Sequence, residues 1–279
     1  MAPGKPTTAT NINQNNVFVS IFNKIWGLPT SVNLNVNDEK SLIIHHEIIK
    51  TKPLLKDVYR DWYEDHLQAF MTTKAVPGKL LELGNGAGYL EELIPNLIKT
   101  DIVQTPFTHK IMDAMELDFS DGELRAIFMT HVLHHIPSPA KFLAEANRCL
   151  ARNGRVVMVE PSNGFFQRFL TKVLDHCEYY DDQVEKWENS NDQRIADANM
   201  ALPWVIFERD RAIMEKNFPS LKITKIRYHT FLSYVISGGL TYRAFLPTFC
   251  LPLIKGFEWL LKSLMPYLGT MMTIELEKI

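Results

Sequence analysis

Residues 80–88 read LLELGNGAG, and the fold turns on how that run is understood. Two leucines and a third flank Glu82 in a strand-like apolar run, and glycines follow at 84, 86 and 88. Residues without a side chain let the backbone wrap closely around a ligand, while the start of a following helix offers unpaired N–H groups. A dinucleotide fingerprint needs its third glycine one place later, where Tyr89 stands. A phosphate-binding loop needs Gly-Lys-Ser/Thr, which is absent here.

Working outward, the following segment turns helical but is cut short by Pro95, and LIKTDIV (97–103) is a second strand. LRAIFMTHVL (124–133) and RVVMVEP (155–161) are two more. Between them a helix is predicted, with Ser138 as N-cap and Pro139 in the first turn. Its buried stripe is Phe142, Leu143, Ala146, Cys149 and Leu150, and Gly154 is its stop. Upstream, residues 37–71 read as helix broken near Pro53, with Leu55, Val58, Trp62, Leu67 and Phe70 at helical spacing. Downstream, LKITKIRYH (221–229) and TMMTIELEK (270–278) alternate as strands do. Strands that alternate with helices imply βαβ units and a mostly parallel sheet.

Four blocks in order, LELGNGAG, TDI, MDAMELDFSDGELRAIFMTHVLHHI and LARNGRVVMVEP, span Leu80 to Pro161. This run resembles the class I S-adenosylmethionine-dependent methyltransferases of the small-molecule type. The resemblance implies a Rossmann-like α/β fold with a seven-stranded, mostly parallel sheet, S-adenosylmethionine as cofactor and S-adenosylhomocysteine as product. It implies that Asp101 accepts from the ribose hydroxyls and that Asp113 meets the adenine amine, with Ala114 and Met115 flanking the ring. Glu82 would support the glycine turn or the methionine amine. Gly84, Asn85, Gly86, Gly88 and Tyr89 would form the loop around the cofactor, and Thr130 and His131 would line the methionine moiety. Asp101 arrives earlier in this chain than in many relatives.

THVLHHIPSP (130–139) lies where the fourth strand ends, at the carboxyl edge where open α/β sheets bind ligands. His134 and His135 are candidate general bases, because an imidazole titrates near neutral pH. Adjacent histidines diverge, and no Cys or carboxylate stands nearby at ligand spacing, so no metal is expected. Ahead of the glycine strand, Tyr59, Trp62 and Tyr63 are candidates for a lid over the cofactor, although aromatics at helical spacing are more often core.

The expected layout is a disordered tail over 1–16, a helical cap over 17–75 and the S-adenosylmethionine-binding domain over 76–279. Substrate-side helical insertions are expected over 165–220 and 231–268. The second contains FLPTFCLPLIKGFEWLLKSLMPYLGTMM (245–272), whose charges and prolines exclude a membrane span. Leu253, Ile254, Phe257, Leu260, Leu261 and Leu264 share one helical face, with Lys255 and a Glu258–Lys262 pair opposite. Such a stripe is normally core, and its apolar surplus would otherwise serve a lipid, a membrane surface or a partner.

A net charge of −2 over 279 residues, with 46% hydrophobic residues, speaks for a folded chain and against nucleic acid as partner. Three cysteines, Cys149, Cys177 and Cys250, do not make a disulfide framework and are read as thiols of a cytoplasmic protein. The acceptor implied is a small molecule, with a lipid or lipid-linked glycan as one candidate and peripheral membrane contact through 231–268. A non-catalytic module that binds the cofactor and offers its apolar insertion to a partner is the alternative reading.

Overall fold

The computed structural model describes residues 25–28, 39–174, 179–189 and 198–279. The expected tail over 1–16, part of the acidic stretch after 175, and Cys177 lie outside the described residues. Seven strands form one sheet in the order β3-β2-β1-β4-β5-β7-β6. They are β1 Lys79–Leu83, β2 Leu97–Asp101, β3 Lys110–Ile111, β4 Leu124–Thr130, β5 Leu150–Pro161, β6 Leu221–His229 and β7 Met271–Lys278. β3, β2, β1, β4 and β5 pair in parallel, and β7 runs antiparallel between β5 and β6.

The apolar runs of β1, β4 and β5 contribute to both faces, as strands buried on two sides must. Leu81, Leu83, Ile127, Met129, Val156 and Met158 pack on one face with helix α3, Pro139–Cys149. Their neighbours Leu80, Ala126, Phe128 and Val157 pack on the other with Ile48, Ile49, Leu55, Tyr63 and Ala69. Those residues belong to α1, Glu39–Thr51, and α2, Pro53–Thr72, so the described part of the expected cap is built into the core. Each large aliphatic side chain so buried contributes roughly 1.5–3 kcal/mol.

The link between β1 and β2 departs from expectation. The only helical element there is a three-residue 3₁₀ turn, Leu90–Glu92, because Pro95 and Asn96, whose φ is +60°, end it before the strand. No α-helix start therefore offers N–H groups to the glycine loop, and helix α2 covers that face of the sheet instead. Gly154 is not a helix stop either. It lies within β5, and a Cβ there would sit 2.8 Å from Ala151 O and 2.9 Å from Arg125 O. Ser138 precedes α3 as expected, but its carbonyl rather than its side chain meets the first turn.

After β5 come α4, Phe165–Leu174, and α5, Arg211–Asn217, which follows a π turn at Val205–Arg209. Between β6 and β7 lie α6, Leu232–Ser237, α7, Leu251–Leu260, and short turns at Lys262–Leu264 and Met265–Leu268. In α7 only Leu251 and Ile254 are buried, so the stripe expected as core is largely in solvent. Glu258 does not pair outward with Lys262 as expected. Its Oε1 turns inward and accepts from the backbone N–H groups of Phe231 and Ser233, at 2.9 and 2.8 Å. Lys52 donates to the carbonyls of Gly239 and Tyr242, which fastens this insertion to the start of α2. Among the described residues, no helix is long and apolar enough to cross a membrane.

Candidate functional site

The glycine loop leaves β1 in a conformation few side chains tolerate. Gly84 and Gly86 adopt φ of +64° and +45°, the left-handed region that favours glycine. A Cβ at Gly84 would fall 2.4 Å from Val132 Cγ2, and one at Gly88 would fall 2.6 Å from the Tyr63 hydroxyl. Spacing predicted the turn, and the packing against it explains why nothing larger fits.

Asp101, at the end of β2, holds this loop. Its Oδ2 accepts from the Gly86 N–H at 2.8 Å and its Oδ1 from the Val103 N–H at 3.0 Å. Burial raises the Asp101 pKa, opposed by the N–H groups of Val103, Gly86 and Ile102. Asn85 is buried beside it, and its Oδ1 accepts from Thr108 Oγ1 at 3.0 Å. Helix α1 closes over the loop from outside: His46 Nδ1 lies 3.0 Å from Ala87 O, and its ring stacks on Phe107 at 4.1 Å. His46 and Phe107 escaped the sequence reading, since neither belongs to a motif.

Glu82 is buried beneath the loop. Burial pushes its pKa up to about 8, and its Oε2 has no hydrogen-bond partner among the described residues. An isolated buried carboxylate is costly, so this atom asks for a cation or an N–H donor. Tyr63 and Tyr89 flank the same region, with ring centroids 5.9 Å apart and nearly perpendicular. Trp62 and Tyr63 are buried in the core, and the Trp62 indole donates to Thr230 Oγ1 at 2.9 Å. The aromatic residues considered as a lid therefore form a wall, whereas α1 is the element that lies over the loop.

Asp113 sits in the turn after β3, where its Oδ1 accepts from the Met115 N–H at 2.9 Å. Ala114 is buried and Met115 half-buried. Thr130 ends β4, with its Oγ1 3.0 Å from His66 Nε2. His131 follows at a φ of +58°, its ring 5.2 Å from Trp62. Glu82, Asp101 and Thr130–His131 thus stand at the carboxyl ends of adjacent strands, which is the ligand-binding edge of an open α/β sheet.

The histidine turn is clamped from two sides. Glu160, fully buried near the end of β5, accepts at Oε1 from the N–H groups of Val132 and Leu133, at 2.9 and 2.8 Å. Its Oε2 lies 2.6 Å from His134 Nδ1. Burial raises the Glu160 pKa and lowers that of His134 to about 3, so the imidazole is neutral. Two N–H bonds to the carboxylate favour its charged form, with His134 Nδ1–H as the donor. From the opposite side Asn189 Nδ2 donates to the carbonyls of His134 and Ile136, at 2.8 and 2.9 Å. His134 thus helps to hold the turn and is fully buried. His135 is half-buried on the same turn, and the two rings lie 4.1 Å apart rather than diverging. Neither Glu160 nor Asn189 carried a sequence signal, because their partners are distant in the chain and mostly backbone groups.

Residues 55–203 match the sequence profile of the methyltransferase domain family. No curated protein matches the chain in sequence. Among solved structures it is similar to an S-adenosylmethionine-dependent methyltransferase from Thermotoga maritima, at 15% identity over 86% of this chain and 100% of that one, with a TM-score of 0.44. Geranyl diphosphate C-methyltransferase from Streptomyces coelicolor A3(2) is 10% identical over 77% and 79% of the two chains, at 0.44. An S-adenosylmethionine-dependent methyltransferase from Mesorhizobium loti is 9% identical over 76% and 96%, at 0.42. At these values none of the three speaks for an acceptor.

Proposed function

The chain belongs to the methyltransferase domain family and is an S-adenosylmethionine-dependent methyltransferase, and from that premise we propose that it methylates an oxygen, nitrogen or carbon nucleophile of a small, lipid-like acceptor. The observation that carries the donor site is Glu82, whose buried, unpartnered Oε2 lies beside a glycine loop held by Asp101. A cationic methionine ammonium is the partner this carboxylate lacks.

In this reading Glu82 takes that ammonium, and Gly84, Asn85, Gly86, Gly88 and Tyr89 carry the backbone around the methionine part. Asp101 accepts from the ribose hydroxyls with the lone pairs its N–H partners leave. Asp113 meets the adenine amine while Ala114 and Met115 flank the ring, and Thr130 and His131 line the methionine side. When bound, S-adenosylmethionine supplies an electrophilic methyl group and leaves as S-adenosylhomocysteine. The chain's task is then alignment and exclusion of water, for which the clamped turn and the aromatic wall are suited. His135 is the base proposed to take the proton that the acceptor loses, and Glu160 and His134 position it.

The lipid-like acceptor is favoured by topology. The insertion between β6 and β7 leaves from His229 and returns at Met271, the register pair beside Pro161 at the edge that carries the donor site. Tyr234 of that insertion packs on Trp62 at 5.6 Å, next to His131.

Titration calorimetry with S-adenosylmethionine, followed by transfer of its isotope-labelled methyl group to fractionated cell extract, tests both halves. Binding with label in the organic-solvent fraction is expected. Label confined to aqueous small molecules overturns the lipid-like acceptor, and absence of binding overturns the donor site. Binding without transfer to any fraction would favour a non-catalytic module.

A further inference from the structure

We propose that the helices between β6 and β7, together with the start of α4, form a surface that docks this enzyme on an anionic lipid bilayer. Phe249, Leu253, Trp259, Leu260 and Tyr267 are 80%, 78%, 65%, 70% and 66% exposed, and Phe165 on α4 is 74% exposed. The two parts adjoin. A Cβ at Gly164, the residue before α4, would lie 2.9 Å from Tyr267 O, and Phe166 of α4 meets Phe231 edge-on at 4.6 Å. Side chains of this size left in water side by side mark an interaction surface.

Charge selects the occupant. Residues 231–270 carry three basic residues, Arg243, Lys255 and Lys262, and one acidic residue, Glu258, in a chain whose net charge is −2. That single carboxylate is turned inward onto the Phe231 and Ser233 N–H groups, so it subtracts little from the outward field. Lys262 Nζ lies 5.3 Å over the Trp259 ring, which places an ammonium beside an interfacial aromatic side chain. Lys255 pairs at the rim with Asp61 of α2, 2.9 Å away. Exposed aromatic and leucine side chains with a lysine among them suit the boundary between acyl chains and anionic headgroups. Lys255 is already answered by Asp61, and a purely apolar partner would leave Lys262 unanswered.

This surface is independent of the donor site and of the acceptor reading, and the insertion that carries it starts and ends beside Pro161.

Co-sedimentation of the full chain with phosphatidylcholine vesicles, and with phosphatidylcholine containing three-tenths phosphatidylglycerol, tests the proposal. Binding to the anionic vesicles is expected, weakened several-fold by Lys262→Ala and by Arg243→Ala, and by raised salt. A triple variant, Leu253→Ser, Trp259→Ser and Leu260→Ser, is expected to lose sedimentation. Its circular dichroism and its S-adenosylmethionine affinity should stay as in the wild type, which separates this test from that of the donor site. Wild-type protein left in the supernatant with both vesicles overturns the proposal, as does a triple variant that binds like wild type. Equal binding to neutral and anionic vesicles overturns the role given to charge. A wild-type dimer in sedimentation velocity that the triple variant abolishes assigns the surface to a second copy and overturns the lipid partner.

Discussion

The glycine-loop cradle and the insertion between β6 and β7 hang from the same edge of the sheet, yet they distribute polarity in opposite ways. Beneath the cradle Glu82, Asp101, Glu160 and His134 are buried, while on the insertion Leu253, Trp259 and Leu260 stand in solvent. Ordinary folding would place each set where the other is. Buried polar groups persist here because backbone N–H groups satisfy most of them, as with the four that reach Asp101 and Glu160. Exposed apolar groups stand on a helix that packs on the neighbouring helical turns of the insertion rather than on the sheet.

The clamp at Glu160 is the strongest place to break this contrast. Glu160→Ala strands two backbone N–H groups and the His134 ring in the core, and should cost about 3 kcal/mol of stability in denaturant unfolding. An unchanged midpoint would show that the turn is held without it. Asp101→Ala removes the acceptor for the Gly86 N–H and should weaken S-adenosylmethionine binding by about 100-fold in calorimetry. A variant that binds like wild type would remove Asp101 from the donor site.

Glu82 sharpens the contrast through pH. Burial raises its folded pKa from the ordinary 4.5 to about 8, so the folded state holds the proton more tightly. The stability this contributes is full below the unfolded value and is lost as pH rises toward the folded one. Cofactor-free wild type should therefore lose up to about 1.4 kcal/mol per pH unit relative to Glu82→Gln between roughly pH 5 and 8. Thermal unfolding of both proteins across that range checks this, and parallel curves would refute it. The smallest effect belongs to the insertion: Leu253→Ser and Leu260→Ser should each change stability by no more than about 0.5 kcal/mol. A loss near 3 kcal/mol would mean that these leucines are core after all.

Much of this was legible in the chain. The strand, glycine loop and acidic strand end near Asp101 stand in local order, and local order is what a sequence displays. The helix over 139–149 was legible from Pro139 and the stripe at Phe142 and Ala146. Its stop was misread at Gly154, because that glycine answers to Ala151 and Arg125 carbonyls rather than to a helix end. The clamp on the histidine turn was not legible. It depends on Glu160 and Asn189, which are 26 and 55 residues from the His134 groups they bind, and whose partners include main-chain atoms common to every residue.

By itself, then, the sequence determined the sheet, the glycine loop and the family, because hydrophobic period and glycine spacing are properties of neighbouring residues. Tertiary structure decided the rest. It buried His134 against Glu160, a placement the chain order does not display. It also left the stripe of α7 outside the core. An amphipathic helix has an apolar face whatever it packs against, and whether that face is covered depends on how much sheet remains to be covered.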